Sequence, residues 1–158
     1  MFFIANFTIL VSVMMDVYRE EVVYNLEIET YKDFPKIKMI LYTNGIMNVI
    51  FKDNLLIEMS DIDAVLEWVT SLGSEKKYIN LMEGASNTDI DSEVREFAAS
   101  STNNKHTIAD AMVISSSAHR ILTNFYLRFN KPSKPTKIFT ERSKAITWLL
   151  QQKNNSKK

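Results

Sequence analysis

The sequence predicts an α/β fold, in which a mixed sheet of four or five strands begins with a hairpin and is covered by helices. The last third alternates apolar runs of strand length with segments of helical spacing over residues 108–150. An Asn44-Gly45 pair separates two apolar runs, as between the strands of a hairpin. The sheet is therefore expected to start antiparallel and to become parallel later in the chain.

Each element is predicted from a local pattern. Residues 24–30 alternate apolar and polar side chains, as in a strand with one buried face. Residues 60–72 have apolar side chains at helical spacing, with Ser60 as the predicted cap and Gly73 as the stop signal. The strand candidates are residues 24–30, 37–42, 46–51, 78–82, 108–114 and 136–140, and the predicted helices are residues 60–72, 91–101, 115–129 and 141–152.

Length and composition indicate one domain without disulfide bonds. A chain of 158 residues is of single-domain size, and it contains no cysteine, which excludes disulfides and thiolate metal sites. The apolar residues 1–15 are too short for a membrane span and lack the features of a signal peptide. We expect residues 1–19 to be an arm or a start-site artefact, residues 20–152 the domain, residues 153–158 a disordered basic tail, and the protein to be cytoplasmic.

The charges are unevenly distributed along the chain. Residues 105–158 carry a net charge of about +9 and residues 1–104 about −9, although the total is zero. Such a dipole could steer a charged protein face, or it could simply reflect two solvated surfaces. The basic and aromatic segment 125–137 begins in a helix with the spacing of core residues, which argues against nucleic-acid binding. Leu127 lies off that apolar stripe, and Tyr126 and Leu127 are candidate interface residues.

A ligand or interaction corner is predicted at the carboxyl edge of the parallel strands, where ligands gather in open α/β sheets. Backbone N–H groups and hydroxyls there could hold an anion, or could serve only as helix caps. The candidate residues are Glu83, Ser86, Asp91, Ser115, Ser116, Ser117 and His119.

Catalysis is not expected from the sequence. Ser115–Ser117, His106, His119 and Asp110 are close along the chain, but no Gly-x-Ser-x-Gly elbow is present and Asp110 lies within an apolar strand. The two histidines lack the acidic spacing of a metal site. We expect no enzyme activity, no cofactor and no metal.

Three segments near the end of the chain form a distinctive pattern. They are residues 109–132, which include Asn-Phe-Tyr-Leu and Phe-Asn-Lys-Pro, Pro-Thr-Lys-Ile-Phe-Thr at 135–140 and Ala-Ile-Thr-Trp-Leu at 145–149. With them, residues 37–150 resemble small bacterial proteins with the STAS fold of the anti-sigma-factor antagonists, and more closely an uncharacterised STAS/SEC14-like branch. In these antagonists a serine in a motif like Met-Asp-Ser-Ser-Gly-Leu is phosphorylated. The Ile-Asp-Ser of residues 90–92 resembles that motif and implies Ser92 as the phosphoacceptor, although Glu93 and Val94 replace the second serine and the glycine.

Two functions are therefore predicted. The first is a non-catalytic regulatory module that contacts a protein partner, with a homodimer as one form, and it predicts an open corner without a deep pocket. The second, which the SEC14-like resemblance implies, is a binder of a small apolar or anionic ligand. It predicts a cavity of about a few hundred Å³ between sheet and helices.

Overall fold

The computed structural model describes residues 14, 15, 19, 23–84, 88–100, 105–113 and 133–157. The helix predicted over residues 115–129 and most of the N-terminal extension lie outside these residues. The strands are β1 Ile28–Asp33, β2 Ile37–Tyr42, β3 Ile46–Phe51, β4 Leu56–Ile57, β5 Tyr78–Glu83, β6 Asp89–Ile90, β7 Thr107–Val113 and β8 Thr136–Phe139. The helices are α1 Met59–Ser71, α2 Ser92–Ala99 and α3 Arg142–Asn155.

The main sheet is mixed and has six strands in the order β1-β2-β3-β5-β7-β8. The first three strands pair antiparallel, and β3, β5, β7 and β8 are mutually parallel. The α/β class and the change from antiparallel to parallel pairing are as predicted. The predicted count of four or five strands was too low, because the short edge strand β8 and the outer strand β1 both join the same sheet. β4 and β6 form a separate parallel pair.

The hairpin between β2 and β3 closes at the predicted Asn-Gly pair. Gly45 has a φ of 86°, and its N–H donates to the Tyr42 carbonyl at 2.8 Å. The Asn44 side chain accepts from the Ile46 N–H at 3.1 Å and donates to the Tyr24 carbonyl at 2.9 Å. Glycine is needed where the backbone has this positive φ, so the sequence signal and the turn have the same physical cause.

Three boundaries differ from the sequence prediction. β1 begins at Ile28 rather than Tyr24, because Asn25 has a φ of 51° and interrupts an extended backbone. The N-cap of α1 is Glu58 and not Ser60, since Glu58 and Asp61 form a reciprocal capping box. α3 continues past the predicted end to Asn155, so Lys153 belongs to the helix and not to a tail.

Two hydrophobic clusters cover the two faces of the sheet. One lies between the sheet and α3 and contains Ile79, Leu81, Ala109, Ala111 and Leu149. The other face carries α1 and the β4–β6 pair, and its members include Ile37, Met39, Met47 and Tyr78. Alternate residues of β5 point to opposite faces, which assigns Tyr78, Asn80 and Met82 to the second one. That face contains the candidate site.

Candidate functional site

An apolar cavity of about 150 Å³ lies between the sheet and the helices α1 and α2. Its floor is formed by one face of β2, β3 and β5, and its walls by α1, α2, β4 and β6. The lining side chains are mostly aliphatic, with Met39, Met47, Val65, Val94 and Ala98 among them. The cavity is smaller than the few hundred Å³ predicted from the sequence.

The polar residues of this cavity are gathered at one end. Among the described residues that line it, only Tyr78, Asn80, His106 and Thr107 have polar side chains. All four lie at the amino ends of β5 and β7 or just before them. The corner predicted from the sequence was at the opposite, carboxyl edge of the parallel strands, so the polar end of the cavity is not at the predicted position.

Tyr78 is the most unusual of these residues. Its side chain is 5% exposed, and its buried hydroxyl has no hydrogen-bond partner in the described part of the chain. Burial, and secondarily the charge of Glu29, raises the pKa of the Tyr78 hydroxyl above its ordinary value of 10.0. The group therefore stays a neutral O–H that can donate one hydrogen bond and accept others.

Asn80 connects the cavity to a buried ion pair. Its Nδ2 donates to Asp110 Oδ1 at 2.9 Å and to Thr107 Oγ1 at 3.2 Å. Asp110 Oδ2 lies 3.1 Å from Lys134 Nζ, and both charged side chains are 10% exposed. The apolar strand that contains Asp110 therefore carries a paired carboxylate.

His106 is held by two other contacts. Its Nδ1 is 3.0 Å from the Lys76 carbonyl, and its Nε2 is 3.4 Å from Thr70 Oγ1. Asp110 is engaged by Asn80 and Lys134, so the described members of the Ser–His–Asp set do not form a relay. Ser115, Ser116, Ser117 and His119 lie outside the described residues. In the described ranges no group of three or more potential metal ligands comes together.

At the carboxyl edge, the predicted corner residue Glu83 contacts the start of α3. Arg142 Nε donates to Glu83 Oε1 at 2.8 Å, which connects the end of β5 to the start of α3. Both side chains are partly exposed, at 27% and 30%. Glu83 is therefore part of an ion pair that anchors α3. Ser86 lies outside the described residues.

Asp91 and Ser92 form the start of α2. Asp91 is the N-cap and accepts from the Glu93 N–H at 3.1 Å, while Ser92 Oγ donates to Asp91 Oδ1 at 3.0 Å. The Glu93 N–H, and then the Ser92 hydroxyl, lower the pKa of the Asp91 carboxyl. Ser92 is exposed and so accessible. Its phosphorylation stays a prediction, and Asp91 and Glu93 would repel the added charge.

A second, shallower depression of about 300 Å³ lies on the opposite face beside α3. Phe139 and Trp148 pack there with ring centroids 5.7 Å apart, and Lys137 Nζ lies 5.4 Å from the Phe139 ring centre. The Tyr24 hydroxyl is 3.2 Å from that of Thr147. These contacts join Tyr24 and β8 to α3 beside the depression. The candidate interface residues Tyr126 and Leu127 lie outside the described residues.

Sequence reasoning predicted a cavity between sheet and helices only as part of the ligand-binding hypothesis, and it identified neither the lining residues nor the polar end. The apolar residues of α1 and β2 are those of an ordinary core, and no sequence pattern shows that helix and sheet leave a space between them. One signal was present. Tyr78 and Asn80 both carry polar groups and are separated by one residue in an apolar strand, so they lie on the same face of the sheet. Their convergence with His106 required the pairing of β5 with β7.

Comparisons with known proteins identify a domain family and a similar solved structure, both of unknown function. Residues 40–153 match the family described as "Domain of unknown function (DUF7793)". A crystal structure of a protein with unknown function from Arthrobacter sp. FB24 is similar, with 24% identity over 70% of this chain and 96% of that chain and a TM-score of 0.25. A search of curated proteins finds no match. No helix within the described ranges is long and apolar enough to cross a membrane.

Proposed function

The chain belongs to this domain family of unknown function, and we propose that it is a non-catalytic module that binds a small, mainly apolar ligand between its sheet and helices. The observation that carries the proposal is the cavity of about 150 Å³ with its almost entirely apolar lining. The STAS/SEC14-like resemblance supports it, because the SEC14-like relatives suggest a ligand held in this layer. Regulation would follow if ligand binding altered the packing of α1 or α2.

The volume sets the size of the ligand. Pockets for drug-sized molecules are roughly 300–1,000 Å³, about two or more times larger than this cavity. A cavity of about 150 Å³ lined by aliphatic and aromatic residues is large enough for a molecule such as benzene. The ligand would therefore have about six to eight non-hydrogen atoms. Because even the best tiny ligands gain at most about 1.5 kcal/mol per non-hydrogen atom, the binding free energy of such a ligand is at most about 9–12 kcal/mol.

The proposal is tested by filling the cavity. Ala98 lines it, whereas Ala64 lies on the exposed side of α1, so Ala98→Leu and Ala64→Leu add the same atoms in different places. Toluene at about ten times its Kd should stabilise the wild type by about 1.4 kcal/mol in thermal unfolding. Ala64→Leu should respond like the wild type and Ala98→Leu should lose the response. Equal responses in all three proteins would overturn the proposal.

Native mass spectrometry of protein purified from its own host provides the complementary test. A bound species of low mass is expected in the wild type and should be absent from Ala98→Leu. The same measurement reports the number of subunits and any phosphate on Ser92. A wild-type protein that never carries a small molecule, and that shows no toluene response, would exclude this function.

A second candidate function is protein contact, which the exposed outer strand β1 favours. Tyr31 is 63% exposed and Ile28 is 54% exposed, and both point to the same face by their pairing with β2. A sheet edge with exposed apolar side chains can pair with another strand. We propose a second copy of the chain as its partner, in line with the homodimer predicted above. Sedimentation velocity should show self-association that Tyr31→Lys weakens and that Lys32→Arg leaves unchanged, and a monomer at all concentrations would exclude it.

A further inference from the structure

The unpartnered hydroxyl of Tyr78 indicates what the ligand must offer. A buried polar group without a hydrogen bond is costly, and nearly all such groups in proteins are paired. Tyr78 is 95% buried, lines the cavity, and has a hydroxyl without a partner among the described residues. A ligand that fills the cavity is the natural partner for this group.

The neighbouring polar groups limit the alternatives. The Lys76 carbonyl only accepts, so its 3.0 Å contact assigns the proton of His106 to Nδ1 and leaves Nε2 an acceptor near Thr70. The Asn80 amide nitrogen donates to Thr107 and Asp110. At this end of the cavity, the Tyr78 hydroxyl is therefore the buried polar group that makes no hydrogen bond within the described residues.

The lining also disfavours an anionic ligand. No Lys, Arg, Asp or Glu lines the cavity in the part of the chain that the structure describes. Lys134, which lies close to this region, is already paired with Asp110. A carboxylate would be buried there without a counter-charge and would be repelled by the Glu29 charge that acts on Tyr78, so its burial costs far more than burial of a neutral group. The anionic ligand that the sequence left open is therefore disfavoured for this cavity.

We infer that the ligand is a neutral molecule of about benzene size with one oxygen, which accepts a hydrogen bond from the Tyr78 hydroxyl while its apolar body contacts Met47, Val65 and Ala98. Small ketones, phenols and alcohols belong to this class. The inference rests on the proposed function, because it requires that the cavity binds a ligand at all. It adds the polarity and the orientation of that ligand.

Two probes of equal size separate the inference from the proposed function. Cyclohexanone and toluene each have about seven non-hydrogen atoms, matching the size limit above, but only cyclohexanone has an acceptor oxygen. Isothermal titration of the wild type, Tyr78→Phe and Tyr42→Phe should detect both. Tyr42 is a buried tyrosine of the other cluster and provides the same substitution away from the cavity.

The expected result is selective. Tyr78→Phe should weaken cyclohexanone binding about 2- to 12-fold, the range that corresponds to one hydrogen bond, and should change toluene binding less than about 2-fold. Tyr42→Phe should change neither. If toluene binds and cyclohexanone is insensitive to Tyr78→Phe, the inference is overturned and the proposed function stands. If neither probe binds the wild type, both are overturned.

An infrared measurement on the wild type keeps the inference testable even if Tyr78→Phe does not fold. A hydrogen bond to a carbonyl lowers its stretching frequency. The carbonyl band of bound cyclohexanone should therefore lie below its position in an alkane solvent. A bound band at the alkane position would show that the oxygen has no donor, and would overturn the inference. Benzoate should not bind, and detectable binding of this anion would contradict the neutral class.

Discussion

The Asp110 carboxylate lies 3.1 Å from the Lys134 ammonium, and the two side chains form an ion pair that is 10% exposed on each side. Asn80 donates to the other carboxylate oxygen at 2.9 Å. The pair joins β7 to the residues just before β8. Since the Asp110 carboxylate contacts Lys134 and Asn80, it does not form a catalytic relay with His106. It stabilises the sheet beside the polar end of the cavity.

Removal of one partner of this pair should be strongly destabilising. Asp110→Ala leaves the Lys134 charge buried and unpaired, which we expect to cost about 3–5 kcal/mol of unfolding free energy in urea. The matched control is Glu141→Ala, which breaks the exposed pair with Lys144 and should cost less than about 1 kcal/mol. Similar costs for both variants would show that Asp110 and Lys134 are solvated in solution.

Tyr78 should make the protein sensitive to alkali. Its folded pKa is raised above 10.0 by burial, so the folded state holds the proton more tightly than the unfolded state. The contribution of the neutral Tyr78 hydroxyl to the free energy of unfolding is complete below pH 10 and is lost as the pH rises through the folded pKa. Stability should fall less steeply above pH 10 in Tyr78→Phe than in the wild type, as measured by urea unfolding.

The same tyrosine can be followed directly. The chain has six tyrosines, and ultraviolet titration of the wild type should include a late step above pH 10, because burial raises the pKa of the Tyr78 hydroxyl. That late step should be absent from Tyr78→Phe and retained in Tyr42→Phe. A late step that survives in Tyr78→Phe would assign it to another tyrosine.

Asp91 should contribute to stability in an acid-sensitive way. Its pKa is lowered chiefly by the Glu93 N–H, so the ionised form is favoured in the folded state. The contribution is present above the ordinary value of 3.8 and is lost as the pH falls through the lower folded pKa. In Asp91→Asn, the unfolding free energy should fall less steeply as the pH is lowered. In Ser92→Ala, most of the fall should remain, because Asp91 still accepts from the Glu93 N–H. An unchanged acid profile in Asp91→Asn would contradict the capping role.

Gly45→Ala should destabilise the hairpin. Gly45 has a φ of 86°, which costs an L-residue about 1–2 kcal/mol. An added Cβ would also lie 2.7 Å from Lys153 Nζ, the end of a flexible side chain. If backbone strain dominates, the cost should persist when Gly45→Ala is combined with Lys153→Met. Recovery of the lost unfolding free energy in the double variant would instead identify the contact with Lys153 as the cause.

The sequence by itself determined the elements, because their signals are local. The Asn44-Gly45 turn, the apolar stripe of α1 and the alternation of strand and helix after residue 105 each depend on residues a few positions apart. The parallel pairing of β7 with β8 was predicted in this way and is confirmed. The start of β1 and the N-cap of α1 were predicted at the wrong residues. The positive φ of Asn25 and the capping box of Glu58 and Asp61 are features of backbone geometry, which composition does not reveal.

Only the tertiary structure decided where the candidate site lies. Tyr78 and His106 are 28 residues apart and meet because β5 pairs with β7, with the Tyr78 N–H donating to the His106 carbonyl at 2.9 Å. The cavity depends on how closely α1 and α2 approach the sheet, which is a sum of many side-chain volumes and not a property of any one segment. Hydrophobic periodicity specifies which face of an element is buried, but it does not specify how completely that face is filled.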